Sequence, residues 1–338
     1  MQGQQNASGP TAGRSHVTGL VARLARRGRP PRDCSPMRAE PVGHELDETR
    51  ALALLKQACA TVGLSADGAR LLRIGSNAVY HLTSPVVARI SRNDADIGHA
   101  RRTVAVARWL ERVNYPAVRA IDVDQPIDID RHAITFWQSV SDDGDQYATV
   151  GEVAEVLAEL HGLTAPADLH LPTLAPFDKA ANRITANDWL SPDDRLFLTE
   201  QLATMREKYA GLKFMLPQGV IHGDAGIGNV LHDRHGKPVV IDLDGFAIGP
   251  REWDLALTAI YYDSFGWHTL DEYETFVRVY GFDIMQWPGY PTMRAVREFL
   301  MVTWVIQSAG ADPRIADEAG KRITALRTGA NRKDWQPY

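Results

Sequence analysis

The sequence predicts an α+β fold in two parts, a small N-terminal lobe carrying an antiparallel sheet and a larger, mainly helical C-terminal lobe. Three observations predict it. Apolar runs Leu71-Leu72-Arg73-Ile74, Ala78-Val79-Tyr80-His81-Leu82 and Val86-Val87-Ala88-Arg89-Ile90 are joined by turn residues Gly75-Ser76-Asn77 and Thr83-Ser84-Pro85, as in consecutive antiparallel strands. From residue 149 onward a 3.6-residue period takes over, over residues 149–163, 191–212, 252–262, 270–280, 293–308 and 314–327. Between the second and third of these stretches, three short apolar runs flank a glycine-rich loop. With 338 residues, 44% hydrophobic and 23% charged, the chain can bury a core in each lobe.

Each element has its own signal. Residues 46–62 have helical spacing with Leu52, Leu54, Leu55 and Ala58 as inward positions, which suits a helix packed on the first lobe. Residues 96–113 predict another helix, with Val104, Val106, Ala107, Trp109 and Leu110 on its apolar face and acids near its start. In the run from Ala133 to Val140, alternation puts Ile134 and Phe136 on one face and Thr135 with Trp137 on the other, so Trp137 reads as core rather than as a stacking ring. His161, beside Leu157, Leu160 and Leu163, reads as a packed helix residue. Ser191-Pro192-Asp193-Asp194 is a helix cap.

The chemistry is concentrated in Val220-Ile221-His222-Gly223-Asp224-Ala225-Gly226-Ile227-Gly228-Asn229-Val230-Leu231, followed by Val239-Val240-Ile241-Asp242-Leu243-Asp244. An aspartate five residues before an asparagine, then an aspartate at the end of a short apolar run, is the spacing of a phosphoryl-transfer site. Such a reaction asks little covalent chemistry of the protein. One carboxylate, Asp224, orients the acceptor hydroxyl, while the Asn229 amide oxygen and the Asp242 carboxylate hold Mg²⁺ against the phosphates. The turn Asp233-Arg234-His235-Gly236-Lys237 predicts a hairpin that returns Asp242 to the side of Asn229. Gly223, Gly226 and Gly228 are read as letting the backbone pass close to phosphate and metal.

On these residues the chain resembles the aminoglycoside phosphotransferase family, the small-molecule branch of the protein-kinase-like fold. His222-Gly223-Asp224 through Asn229 matches that family's catalytic loop, and Asp242 its metal-binding aspartate. Gly249-Pro250-Arg251-Glu252-Trp253-Asp254-Leu255-Ala256 is similar to a segment whose aspartate, Asp254 here, braces the catalytic loop. The resemblance covers about residues 45 to 330. It implies residues 45–139 as a nucleotide-binding lobe, residues 140–330 as the catalytic and substrate lobe, and residues 331–338 as a tail.

The same resemblance implies ATP and Mg²⁺ as cofactors and a small hydroxylated molecule, an aminoglycoside or related amino sugar, as acceptor. Ser76 and Asn77 fall in the phosphate-covering turn, and Gln138 at the link that receives the adenine edge. Arg89 stands where such folds commonly place a lysine on the phosphates; it keeps the charge with a forked geometry. On the other reading it is an outward strand residue paired with a surface acid. The helix acid expected to pair with it is missing: Thr103 aligns there, with Asp94 or Asp96 as candidate substitutes. Asp244 and Asp263 are the acids expected to line the acceptor pocket, among Asp188, Trp189, Tyr262 and Trp267.

Composition narrows the remaining classes. Residues 1–40 carry seven arginines against Asp33 and Glu40, so of the chain's 37 basic and 42 acidic residues the rest holds 30 and 40, a net of minus ten. The basic segment has no interleaved aromatic residues and is rich in Gly, Pro, Gln and Ser, which predicts a disordered leader over residues 1–44 rather than a nucleic-acid arm. Met37 opens a more ordinary stretch and is a candidate translation start. Cys34 and Cys59 are the only cysteines and show no metal-ligand spacing. No apolar run approaches eighteen residues, so a cytoplasmic, ATP-supplied enzyme without a membrane partner is expected. Two rival readings stay open: a nucleotide-binding pseudokinase acting as an interaction module, and a hydrolytic metal centre built on His222, Asp224 and Asp242.

Overall fold

A computed structural model describes residues 46–75, 77–92, 97–141 and 146–337. Ser76, Asp94, Asp96 and residues 1–44 lie outside them, as does Tyr338. The described residues from Leu46 to Gln336 fall in one compact unit.

The first lobe begins with α1 (Glu48–Thr61), capped by the Asp47 carboxylate, which accepts the Arg50 amide. There follow β1 (Arg70–Ile74), β2 (Asn77–His81), β3 (Val86–Ser91), α2 (Ile97–Arg112), β4 (Ile127–Ile129) and β5 (His132–Gln138). The five strands form one antiparallel sheet in the order β1-β2-β3-β5-β4. Side-chain alternation gives the sheet two distinct faces. Ala78, Tyr80, Ala88, Ile90, Ile134 and Phe136 pack with Leu54, Leu55 and Ala58 of α1 in one core. The opposite face carries Asn77, Arg89, Thr135 and Trp137 and looks into a cavity.

Helix α2 packs its apolar face, Val104, Val106, Ala107, Trp109 and Leu110, into a second and larger core that it shares with the rest of the chain. That core is built by α3 (Val150–Gly162), α4 (Asp178–Thr185), α5 (Pro192–Ala210), β6 (Gln218–Ile221), β7 (Val230–His232), β8 (Pro238–Val240), β9 (Ala247–Pro250), α6 (Glu252–Asp263), α7 (Leu270–Tyr280), α8 (Tyr290–Val305) and α9 (Pro313–Thr328). Strands β6 and β9 pair antiparallel, as do β7 and β8. Among the described residues no helix is long and apolar enough to cross a membrane.

Residues 331–336 are anchored rather than trailing. Trp335 is 1% exposed. Its ring lies 5.3 Å from that of Phe265, with the Arg322 guanidinium 4.9 Å from its centroid, and its carbonyl accepts the Trp267 indole N–H. Trp335→Ala is expected to lower unfolding free energy by about 3–5 kcal/mol, the usual cost of emptying a large aromatic site. Urea denaturation monitored by far-UV circular dichroism measures this. A loss below about 1 kcal/mol would show that the segment lies outside the cooperative core.

Candidate active site

The loop between β6 and β7 is held from behind by one carboxylate. Asp254, fully buried in the first turn of α6, accepts the His222 amide at 2.7 Å and the Gly223 amide at 2.8 Å, and its Oδ2 lies 3.1 Å from His161 Nε2. The Tyr280 hydroxyl meets His161 Nδ1 at 2.7 Å. Burial alone would raise the Asp254 pKa; His161, His222 and these hydrogen bonds outweigh it and hold the carboxyl below the usual carboxylate range. His161, expected to be a packed helix residue, is therefore packed and also a member of this brace. His222 is fixed at both ring nitrogens: Nε2 lies 2.9 Å from the Ile241 carbonyl, and Nδ1 accepts the Asp224 amide at 3.2 Å.

Glycine is needed at one contact in particular. Gly223 has φ of +86°, and a β-carbon there would sit 2.3 Å from the Gly245 carbonyl oxygen. Gly245 is equally tight, since its β-carbon would sit 2.6 Å from the His222 carbonyl oxygen. The two loops thus pack backbone against backbone. The expectation that all three loop glycines serve a phosphate approach is narrowed: Gly223 serves this loop contact, and Gly228 has open space around it.

This packing gathers the three chemical residues. The Asn229 side-chain amide donates to the Asp224 carbonyl at 2.8 Å and to Asp224 Oδ2 at 3.3 Å, which leaves its own oxygen for a cation. The Asn229 carbonyl accepts the amide of Ile241, the residue before Asp242. Strand β8 ends at Val240, two residues before Asp242, whose φ of 56° and ψ of 64° turn the chain left-handed. That conformation costs a residue with a β-carbon about 1–2 kcal/mol. Asp242 Oδ1 is buried with no hydrogen-bond partner among the described residues, 3.7 Å from Arg89 Nη2. A solvent-shielded carboxylate oxygen beside an amide oxygen suits a hard divalent cation that takes further oxygens from phosphates. No cluster of three His, Cys, Asp or Glu side chains that would hold a metal unaided occurs among the described residues, so a His222-based hydrolytic centre finds no support in the geometry.

Two cations flank the cleft, Arg89 half-buried and Arg297 buried. Arg89, on β3, lines a cavity of about 410 Å³ with Asn77, Thr135, Trp137, Thr103 and Asp244. Arg297, on α8, was given no role by the sequence. It stacks on Trp253 with its guanidinium 4.4 Å from the ring centroid and approaches Asp224 Oδ1 at 3.6 Å and the Gly223 carbonyl at 3.5 Å. Burial pushes its pKa down, against the opposing pull of Asp224, Tyr261 and Asp254. Tyr261, half-buried beside Asp224, has its phenol pKa pushed up to about 12, by desolvation first and Asp224 second. Arg297 lies 73 positions after Asp224, so only the folded chain brings them together.

The other expected contacts fall as follows. Trp137 is buried, lines the cavity and donates its indole N–H to Thr135. Gln138 ends β5 without lining that cavity; its amide is used by the Arg119 carbonyl, and that of Ser139 by Pro85. Asp244 faces the first lobe, with Arg89 Nη2 at 2.6 Å. Asp263 accepts from Arg294 at 2.5 Å and from the Tyr290 hydroxyl at 3.2 Å. Both acids expected at the acceptor pocket already carry cationic partners. Tyr262 stacks on Tyr273, and Trp267 packs tilted against Tyr261 with ring centroids 4.9 Å apart.

A family model described as the phosphotransferase enzyme family matches residues 69–299. The chain belongs to the phosphotransferase enzyme family. It is a small-molecule phosphotransferase with the kinase-like α+β fold. Among solved structures of that fold, an amicoumacin kinase in complex with AMP-PNP, Ca²⁺ and Ami superposes with a TM-score of 0.65 at 12% identity, covering 86% of this chain and 96% of that one. A microcompartment-associated aminopropanol kinase gives 0.61 at 18% identity, with 81% and 95% covered. A spectinomycin phosphotransferase in complex with ADP and spectinomycin gives 0.57 at 14%, with 80% and 93% covered. A probable ketoamine kinase of Lactiplantibacillus plantarum is 44% identical over 61 residues, 18% of this chain; the chain spans about a fifth of that relative's length.

Replacing the brace has a calculable effect. In Asp254→Asn one amide N–H of the loop meets an –NH₂ group instead of an acceptor, leaving buried donors unsatisfied at about 1–3 kcal/mol. Because the folded pKa of Asp254 is depressed, its contribution to stability is present above the ordinary carboxylate pKa and fades as pH falls through the folded value. Denaturation between pH 7 and pH 2 should therefore show the wild-type advantage over Asp254→Asn shrinking below about pH 4. A constant difference across that range would contradict the assignment.

Proposed function

We propose that this phosphotransferase moves the γ-phosphate of ATP to a hydroxyl of a small acceptor, an aminoglycoside or related amino sugar. The observation that carries the reading is the Asp242 carboxylate oxygen, buried and without a hydrogen bond, in a left-handed turn beside Asn229 and Arg89. Bound Mg²⁺ and ATP would supply the phosphoryl group and neutralise the charge that develops on its oxygens. Asn229 and Asp242 would hold the metal.

Asp224 is the proposed base. Its side chain is 68% exposed, which leaves one face open to an acceptor hydroxyl while Asn229 and Arg297 fix the other. Arg89 would take the non-transferred phosphates in a forked contact, with Asn77 and Ser76 as further proposed phosphate contacts and Gln138, at the end of β5, as the proposed contact to the adenine edge. Asp263, near the end of the helix whose start braces the loop, is the proposed acceptor-side acid, exchanging Arg294 for an amino group of the acceptor. The names of two relatives, aminopropanol kinase and ketoamine kinase, support an amine-bearing acceptor. Supply of ATP places such an enzyme in the cytoplasm.

Asp224→Ala should lower turnover by about 10²–10⁴, the usual contribution of a positioned base, with nucleotide affinity retained. Asp242→Ala should instead abolish the Mg²⁺ dependence of nucleotide binding. Coupled ADP release over a panel of aminoglycosides, amino sugars and amino alcohols, with calorimetric titration of Mg-AMP-PNP, measures both. Nucleotide binding with no acceptor phosphorylated, equally in wild type and Asp224→Ala, would favour the pseudokinase.

A further inference from the structure

On α2 the position expected to carry the acid that aims the strand cation holds Thr103. Among the described residues, Asp244 brings a carboxylate to that cation. Asp244 Oδ2 accepts Arg89 Nη2 at 2.6 Å, while Asp244 Oδ1 accepts the Thr103 hydroxyl at 3.0 Å. Thr103 is 4% exposed, and its hydroxyl also lies 3.1 Å from the His99 carbonyl, so the carboxylate competes for that proton as the stronger acceptor. His99 Nε2 stands 3.8 Å from the same Oδ1. Helix α2 therefore still takes part, but as a donor to the anion rather than as its source.

We propose that Asp244 is the positioning residue for Arg89, so that the phosphate-binding cation is aimed from the metal-binding turn through a carboxylate seated on Thr103. The inference rests on the nucleotide-kinase reading. It assigns Asp244 to the nucleotide side of the cleft rather than to the acceptor. It also makes the nucleotide cation and the metal site one unit, since Asp242 and Asp244 flank a single residue and approach the same Arg89 nitrogen, at 3.7 and 2.6 Å.

The test is a transplant read by Mg-AMP-PNP titration calorimetry on the full chain, which needs no acceptor. Asp244→Asn should weaken nucleotide binding about tenfold, the scale of one charge-assisted hydrogen bond. Thr103→Glu combined with Asp244→Asn moves the carboxylate onto the helix and should recover affinity to within about threefold of wild type. Thr103→Val, nearly isosteric and tolerant of any packing failure in the glutamate variant, should weaken binding about threefold through loss of one neutral donor. Unchanged affinity in Asp244→Asn, or a double variant no better than the single one, overturns the inference while leaving the kinase reading intact. A wild type that binds no Mg-nucleotide overturns the kinase reading and this inference together.

Discussion

The buried Asp254 carboxylate is the constraint on which the rest of the site depends. An isolated ion at zero exposure would cost several kcal/mol, more than any one loop contact returns. It is tolerated because two consecutive backbone amides and a histidine nitrogen converge on it. That convergence fixes the peptide planes at His222 and Gly223, and with them the left-handed turn that places Asp224 at the cleft. Trp253, the neighbour of Asp254, closes the same loop from the other side by donating to the Gly223 carbonyl at 2.8 Å. One turn of helix thus sets both hydrogen-bonding edges of Gly223.

From that fixed point the charges follow an order across the cleft. Arg297 stands behind Asp224, Asn229 bridges toward Asp242, and Arg89 stands beyond Asp242 and Asp244. Acids in the middle with a cation at each end form an arrangement that would repel a free carboxylate yet accept a metal-bound triphosphate, whose own charge is partly neutralised. Arg297 achieves its position by stacking on an indole, so the guanidinium loses water on one face without losing all favourable contact.

The fold and the loop chemistry were legible because their signals are local. Alternating apolar runs gave β1, β2, β3 and β5, the 3.6-residue period gave eight of the helices, and the catalytic loop needs residues only a few positions apart. What was not legible depends on distance or on short length. Helix α4 has eight residues and only Ala180 and Ile184 fully buried, too few for a period to stand out. Strand β4 has three residues, and β9, reading Ala-Ile-Gly-Pro, lacks a strand signature; it is held by pairing with β6. Arg297 is one arginine on a helical stretch, and nothing in its neighbours Val296 and Glu298 points to Asp224. The contacts of Asp244 with Arg89 and Thr103, 155 and 141 positions away, are equally invisible in the sequence.

The placement of α2 ties it to the turn that carries Asp244. Val104, Val106, Ala107, Trp109 and Leu110 of this helix pack in the same core as Val220, Ile221 and Leu243, which flank the 222–229 loop and the turn at Asp242. The opposite face of the sheet has a separate core with α1. If α2 were packed only on the sheet, an acid on the helix and an acid on the turn would move differently whenever the lobes shifted. Because α2 and the 243–245 turn share one close-packed interior, which transmits displacement rather than absorbing it, the two elements meet β3 together. The Thr103 hydroxyl links them directly by donating to Asp244 Oδ1.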